Sequence, residues 1–396
     1  MGRAATRSAI VLTALAACAV AAAPAMAAEG GGEPKITPLL MSVEDRPVPF
    51  RGSDGRTHLV YELAVTNFSS DTTRIRSVQV RTPAGRVLQT LRATALGGPR
   101  GRLQPAGRRD GSASMAASTE SLLFVHLRLA RGARAPRTLE HRVTAAFDAA
   151  GGAVLTETGG RVAVDRRPVV RFGPPLRGSG YLSADSCCDA SRHTRAALPV
   201  DGRVWLAQRY AVDWEQLDAQ GRIYDGPKLA LSSYAIYGDP IYAVADGRVS
   251  STIEGLPDQV PGTFPENPAA REVDGNSVVL DVGGGNYVLF AHMQPGSVRV
   301  SAGQRVRRGD VLGLVGNSGN SVAPHLHLHV TAGPSPIGSN GLPYAIDGYI
   351  FTGASAGTEA FDEAEANGTV LPVTPFAPPR QIRNALPLDQ LVVSFP

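Results

Sequence analysis

The sequence has few of the residues that define several protein classes. Among its 396 residues are three cysteines, and Lys35 and Lys228 are its only lysines. Beyond the first thirty residues no run approaches the roughly 20 consecutive apolar residues of a membrane-spanning helix, so none is expected there. The segment "GQRVRRGDVLGLVG" resembles a biotinyl or lipoyl carrier hairpin, but such carriers need a modified lysine at the following turn. Neither lysine of this chain lies there, so a carrier is excluded.

The N-terminal stretch "MGRAATRSAIVLTALAACAVAAAPAMAAEG" combines two arginines, an apolar run and a small-residue site at Ala25-Met26-Ala27. This pattern predicts a signal peptide over residues 1–27, and hence a secreted or periplasmic protein. "LAAC", ending at Cys18, resembles a lipoprotein cleavage box and is the alternative, which would give a lipid anchor. The apolar run continues past Cys18, which favours cleavage near Ala27.

Removal of the signal peptide changes both the charge and the cysteine content. Lys+Arg falls from 39 to 37 against 35 Asp+Glu, so the formal net charge drops from +4 to +2. A charge so near balance gives no support to a nucleic-acid partner. Only the adjacent Cys187 and Cys188 remain, and they do not make a disulfide framework. Two buried thiols, an exposed oxidised pair and a metal-binding role stay open for them.

Short alternating segments separated by Gly, Asp and Pro turns predict an all-β protein. Segments such as "HLVYELAVTNFS" and "SLLFVHLRLA" indicate a β-sandwich of immunoglobulin-like type. Its histidines, His58, His126 and His141, are isolated from one another in the sequence, and structural roles are expected for them. The predicted organisation is a signal peptide (1–27), an immunoglobulin-like sandwich (28–167), a linker (168–180), a second β domain (181–352) and a Pro-rich tail of little regular structure (353–396).

The stretch "APHLHLHV" places three of the eight histidines at alternate positions. In a β-strand, His325, His327 and His329 project from one face, with leucine and valine on the other. Neighbouring imidazoles then stand roughly 6 to 7 Å apart at their roots, which suits a shared metal ion or reacting group. A half-exposed strand with polar residues facing water is the alternative.

Three segments together resemble the lysostaphin/LytM-type zinc metallopeptidases, in the same order and at similar separations. They are "GDPIYAVADGRV", "NYVLFAHM" and "GQRVRRGDVLGLVGNSGNSVAPHLHLHV", and with "RYAVDW" the resemblance covers about Asp213 to Val330. It implies a lysostaphin-like (duplicated hybrid motif) antiparallel β-sheet domain. It also implies a Zn²⁺ held by two His and one Asp, and hydrolysis of peptide bonds in bacterial peptidoglycan.

The resemblance also assigns roles to single residues. His327, the second histidine of "HLH", matches the zinc ligand of the family, and Asp213 in "RYAVDW" matches its aspartate ligand. His325 and His292, the latter in "LFAHM", match the two catalytic histidines. His329 stands where the family often has Glu, and no role is assigned to it.

One position departs from the family pattern. Many members present His-x-x-x-Asp, but this chain has Arg209 four residues before Asp213. Arginine stays protonated and has no lone pair for a cation. His193 is the only histidine between Val143 and Ala291, and we expect it to be the third metal ligand.

Two His and one Asp leave one zinc position open for water, whose pKa falls toward about 7 when zinc binds it. His292 and His325 are then placed to accept a proton or to hydrogen-bond the developing oxyanion. The sequence therefore predicts a zinc endopeptidase for peptidoglycan peptides. One alternative is a family member that binds the wall or regulates other hydrolases without cutting. The other is a copper, nickel or zinc carrier that uses the three alternating histidines.

Overall fold

Strands make up most of the regular structure, and the all-β prediction is confirmed. The computed structural model describes residues 35–98, 100–105, 111–148, 151–189 and 192–396. The predicted signal peptide (1–27) and Cys18 lie outside these ranges. Within them, no helix is both long enough and apolar enough to cross a membrane.

The first ten strands form two antiparallel sheets. One has the order β1-β3-β8-β6 with β2 paired to β3, and the other has the order β10-β9-β4-β5 with β7 paired to β4. The strands are β1 (Leu39–Ser42), β2 (Phe50–Arg51), β3 (Thr57–Asn67), β4 (Thr73–Arg81), β5 (Val87–Arg92), β6 (Leu103–Pro105), β7 (Ser114–Met115), β8 (Glu120–Arg128), β9 (Thr138–Phe147) and β10 (Ala153–Ala163).

Side chains that alternate along these strands fill the space between the two sheets. Leu59 and Leu63 from β3, Val78 and Val80 from β4 and Leu123 from β8 all belong to one buried apolar cluster. Because neighbouring side chains of a strand point to opposite faces, every second residue reaches this core. The immunoglobulin-like assignment stays a prediction, and the strand order is its support.

The rest of the chain is built on one ten-stranded sheet of order β20-β17-β18-β19-β22-β15-β12-β26-β24-β25, in which each neighbouring pair is antiparallel. Its strands are β12 (Gly178–Ala184), β15 (Val212–Gln216), β17 (Gly247–Ile253), β18 (Asn276–Asp281), β19 (Tyr287–Met293), β20 (Arg305–Val306), β22 (Leu326–Thr331), β24 (Tyr349–Ser355), β25 (Val373–Ile382) and β26 (Leu391–Phe395).

Shorter elements flank this sheet. The paired strands are β11 (Val170–Phe172) with β23 (Tyr344–Ile346), β13 (Leu198–Val200) with β14 (Arg203–Trp205), and β16 (Pro240–Tyr242) with β21 (Val311–Leu314). Among the described residues, the helices are α1 (Ala93–Leu96), which lies beside β4 and β5 of the first ten strands, α2 (Thr358–Asn367) and the 3₁₀ turns Leu231–Ser233 and Ala270–Glu272.

The alternation predicted for "HLHLHV" is present in β22. Leu326, Leu328 and Val330 lie in the main apolar cluster of the large sheet, and Trp214 of the neighbouring β15 lies there too. The histidines therefore project from the opposite face, where α2 and the loops that follow β12 and β17 lie.

Two predicted irregular segments contain regular structure. The predicted linker (168–180) includes all of β11 and the start of β12. The predicted tail (353–396) contains α2, β25 and β26, and β26 is an inner strand between β12 and β24. The Pro-rich composition concealed β25 because edge strands tolerate proline, and β25 lies at the edge of the sheet.

Arg209, the residue that departs from the family pattern, is buried against the sandwich. Its guanidinium donates to both carboxylate oxygens of Glu62 on β3, at 3.0 and 2.6 Å, and to Asp45 at 3.0 Å. Only 4% of Arg209 and 8% of Glu62 are exposed. This bidentate ion pair ties the start of β15 to the sandwich, so Arg209 has a structural partner and takes no part in metal binding.

Arg209→Met is expected to lower the free energy of unfolding by about 3–5 kcal/mol, because it leaves Glu62 buried and charged without its partner. The double variant Arg209→Met/Glu62→Leu should recover much of that loss, since neither buried charge remains. Chemical denaturation of the three proteins measures both effects. A double variant no more stable than Arg209→Met would show that the unpaired charge is not the cause.

Candidate metal centre

The register between β15 and β22 places an aspartate and a histidine directly opposite each other. Asp213 pairs with His327 across the two strands, and side chains opposite each other in a ladder share a face. Oδ1 of Asp213 lies 2.8 Å from Nδ1 of His327 and 3.4 Å from Nε2 of His325. His325 comes just before β22, so one strand supplies both imidazoles to the carboxylate.

His292 reaches this group from β19 through a break in the ladder. Ala291 pairs with His327, so regular alternation would turn His292 to the other face. An extra residue bulges β19 between Phe290 and Met293, and the φ of His292 is 61°. Positive φ is uncommon for a residue with a Cβ, and here it turns the imidazole back to the shared face. The ring centroids of His292 and His325 are 4.7 Å apart.

His193 comes from the loop that follows β12. Its Nε2 lies 3.3 Å from Oδ2 of Asp213, and its ring meets that of His327 edge-on at a centroid distance of 4.9 Å. Ligand atoms of His193, Asp213 and His327 all lie within 4.8 Å of one another, as do those of His292, His325 and His327. The structure thus brings the five residues selected from the sequence to one place.

Hydrogen bonds to backbone carbonyls set the tautomer of three of the imidazoles. Nδ1 of His193, His292 and His325 each lies 2.8 Å from a carbonyl oxygen, of Asp185, Ser318 and Ala323 respectively. A carbonyl only accepts, so in the neutral ring the proton is on Nδ1 and the lone pair is on Nε2. Those Nε2 atoms face the shared centre.

His329 sets the tautomer of His327. Nε2 of His329 lies 3.1 Å from the carbonyl oxygen of Pro336, so the neutral ring carries its proton there. Its Nδ1 then accepts from Nε2 of His327, at 2.8 Å. The lone pair of His327 is therefore on Nδ1, the atom beside Asp213. Sequence reasoning assigned no role to His329, although its place in the alternating run was the available clue.

Burial and the Asp213 carboxylate shift the pKa values of the surrounding histidines in opposite directions. Burial holds the pKa of His292 and His329 well below the ordinary value and lowers that of His327. Burial also acts on His325, but the nearby carboxylate outweighs it and raises the pKa. Burial opposes ionisation of Asp213, yet the surrounding imidazoles keep its pKa well below the usual range. A neutral-imidazole, ionised-carboxylate donor set is what Zn²⁺ takes in three-ligand sites.

The centre lies in a cavity of about 780 Å³. The loop after β12, strand β15, the turn before β22 and helix α2 contribute to its walls. The exposed fractions of His193, His292, His325 and His327 are only 3 to 8%. The cavity is large enough for a peptide segment, and the imidazoles lie in its wall with little access to bulk water.

A second group of possible ligand atoms lies in the contact with the sandwich. His58, His126 and Cys188 have ligand atoms within 4.8 Å of one another. Cys188 is disulfide-bonded to Cys187, and Nδ1 of His58 hydrogen-bonds Nε2 of His126 at 2.8 Å. A disulfide sulfur offers no thiolate, so this group is a hydrogen-bonded pair rather than a metal centre.

Comparison with known proteins identifies part of the chain. The family model of Peptidase family M23 matches residues 229–338. The resemblance of this segment to lysostaphin/LytM-type peptidases is confirmed. The matched segment contains His292, His325 and His327, whereas His193 and Asp213 precede it.

The chain is also similar to a curated relative and to several solved structures. It is 32% identical to endolysin 2638A of Staphylococcus phage 2638A over 84 residues, 20% of this chain and 17% of that protein. The catalytic domain of the prophage-encoded M23 protein EnpA from Enterococcus faecalis has 20% identity and TM-score 0.26, covering 43% of this chain and 94% of that one. The catalytic domain of lysostaphin from Staphylococcus simulans has 18% identity and TM-score 0.21, covering 39% of this chain and 80% of that one. A zinc containing peptidase from Vibrio cholerae has 17% identity and TM-score 0.22, covering 69% of this chain and 77% of that one.

His329→Phe should weaken Zn²⁺ binding roughly 10- to 100-fold, because phenylalanine fills the space but cannot accept from His327. His329→Asn is the matched control, since its Oδ1 can accept near the position of the lost Nδ1, and a smaller effect is expected. Competition with a chromophoric chelator measures the dissociation constants. Equal losses in the two variants would contradict a tautomer-setting role.

Asp274, which lines the cavity, provides a pH-dependent test. Burial raises the pKa of this carboxyl group from 3.8 to about 7. The folded protein therefore binds more protons than the unfolded chain between about pH 4 and 7, and this group removes stability as the pH rises through that window. The free energy of unfolding of Asp274→Asn should exceed that of the wild type by about 2–3 kcal/mol more at pH 8 than at pH 5. Denaturation at both pH values measures it, and an equal gain would contradict burial as the cause.

Proposed function

We propose that the chain is an exported, zinc-dependent endopeptidase that hydrolyses peptide bonds of bacterial peptidoglycan. The observation that carries this is the donor set around Asp213, in which each nearby imidazole, when neutral, directs its lone pair to one centre. The peptidase family M23 match supports the reaction class. The resemblance to the lysostaphin/LytM-type peptidases implies peptidoglycan peptides as the substrate, and this supports that part of the proposal. Export rests on the predicted signal peptide over residues 1–27.

His193, Asp213 and His327 are the residues that would hold the zinc, since their ligand atoms lie within 4.8 Å of one another. A bound zinc would polarise the scissile carbonyl and make the attacking water more acidic. The protein contributes the orientation of these ligands and the exclusion of bulk water from a centre whose histidines are less than a tenth exposed.

His292 and His325 would act on the proton and on the developing negative charge. Nε2 of each carries the lone pair in the neutral ring, and both rings lie beside His327 or Asp213. One of them would accept the proton of the attacking water as general base. The other, once protonated, would hydrogen-bond the oxyanion. The raised pKa of His325 suits the protonated role.

The deciding experiment measures zinc content and release of soluble peptides from purified peptidoglycan for the mature protein and its variants. His193→Ala and His327→Ala should lose both the zinc and hydrolysis. His292→Ala and His325→Ala should keep the zinc and lose hydrolysis by roughly 10²–10⁴-fold, the usual contribution of general acid–base catalysis. Asn320→Ala, which alters the same cavity wall without removing a proposed ligand, is the control.

Each result separates the alternatives. Zinc and hydrolysis retained in His193→Ala would remove His193 from the ligand set but leave the enzyme. Zinc bound by the wild type without any peptide release would favour a protein that binds or regulates at the wall. Binding of copper or nickel in preference to zinc, again without hydrolysis, would favour metal delivery.

A further inference from the structure

The charged groups that line the cavity are unbalanced. Among the described residues that line it, five carry carboxylates, and Arg192 is the only Lys or Arg. Arg192 donates to Asp185 at 2.8 Å and to Asp362 at 2.7 Å, so its charge is already shared between two carboxylates. Asp213 belongs to the metal centre. Two further carboxylates, Glu215 and Glu365, remain on the side of the cavity formed by β15 and α2.

Glu215 lies on the same face of its strand as the metal centre. It follows Asp213 by two residues in β15, so both side chains point the same way, with roots roughly 6 to 7 Å apart. The residue is 4% exposed. Its Oε2 is buried and has no hydrogen-bond partner among the described residues.

Glu365 is brought to the cavity by the C-terminal helix. Phe361 and Ala364 of α2 pack in one apolar cluster with Leu182 and Ala184 of β12, the neighbour of β15. This contact places α2 over the strand pair and Glu365 in the cavity wall. Within the described residues, its carboxylate forms no ion pair or hydrogen bond, and α2 itself carries no lysine or arginine.

A buried carboxylate without a partner is costly, because burial removes water and leaves the negative charge uncompensated. Glu215, which is buried with an unpartnered oxygen, and Glu365, which is only half-buried, lie beside a centre that is expected to process peptides, and a cation that arrives with the substrate would stabilise both. We propose that Glu215 and Glu365 bind a primary ammonium group of the peptide substrate, and that the enzyme selects peptides with a free amine near the scissile bond. This inference rests on the proposed peptidase function.

The geometry favours an ammonium group over a second metal ion. No set of three ligand atoms within 4.8 Å of one another includes Glu215 or Glu365 in the described parts of the chain, whereas Ca²⁺ and Mg²⁺ require about six or more oxygens. An ammonium group has three N–H donors and is satisfied by two carboxylates and a water. The roughly 6 to 7 Å from Asp213 corresponds to about two residues of extended peptide, so the amine would lie within about two residues of the cleaved bond.

The test uses a synthetic peptidoglycan stem peptide with one primary amine and the same peptide acetylated at that amine. For the zinc-loaded wild type, kcat/KM should be roughly 10- to 100-fold higher for the free amine, the range expected for a hydrogen bond to a charged group. In Glu365→Gln this ratio should fall toward one. Glu363→Gln is the matched control, since Glu363 lies on the exposed side of the same helix, and its ratio should equal that of wild type.

Wild-type kinetics alone can overturn the inference, whether or not Glu365→Gln folds. Equal kcat/KM for the two peptides in wild type would overturn it and leave the peptidase proposal intact, and so would an unchanged ratio in a folded, zinc-loaded Glu365→Gln. If neither peptide is cleaved, calorimetric binding separates the two proposals. Preference for the free amine without cleavage would support the ammonium site and overturn the peptidase, and absence of both binding and cleavage would overturn both.

Discussion

The structure depends on a single constraint, which is that several imidazoles must present a lone pair to one buried point. A neutral imidazole has one lone pair and one proton, so the direction of the lone pair is set by what the other nitrogen bonds. In this chain carbonyl oxygens of Asp185, Ser318 and Ala323 perform that task directly, and Pro336 performs it through His329. The centre is therefore defined as much by the backbone around it as by its side chains.

Because backbone acceptors cannot be replaced by substitution, the loops that carry them have to be held in place. The loop from Asp185 to His193 shows how this is done. Ser186 bonds the carbonyl of Pro387 and the carboxylate of Asp389 near the C-terminus. Asp189 bonds His126 of the sandwich. The loop that carries His193, the proposed third ligand, is thus fixed from two sides.

The sequence predicted what depends on local periodicity and failed where distant segments meet. Alternation in "HLHLHV" was sufficient to predict the shared face, because a strand allows no other arrangement. The bulge that turns His292 could not be predicted, since it depends on pairing between β18 and β19. Glu215 was within reach, two residues from Asp213 on the same strand. The position of Glu365 in the cavity wall could not be predicted, because it depends on how the C-terminal helix packs.

The position of the C-terminal segment has a consequence for the electrostatics of the site. Strand β26 lies between β12 and β24, and α2 covers the face from which Asp213 projects. Covering this face excludes water and strengthens every charge interaction beneath it. It also brings Glu365 toward Glu215; burial, and for Glu215 the nearby Glu365 carboxylate, raises the pKa of both carboxyl groups. A fold that only sheltered the metal centre would gain stability from apolar residues at these two positions, whereas the proposed ammonium group would hold both acids in their ionised form.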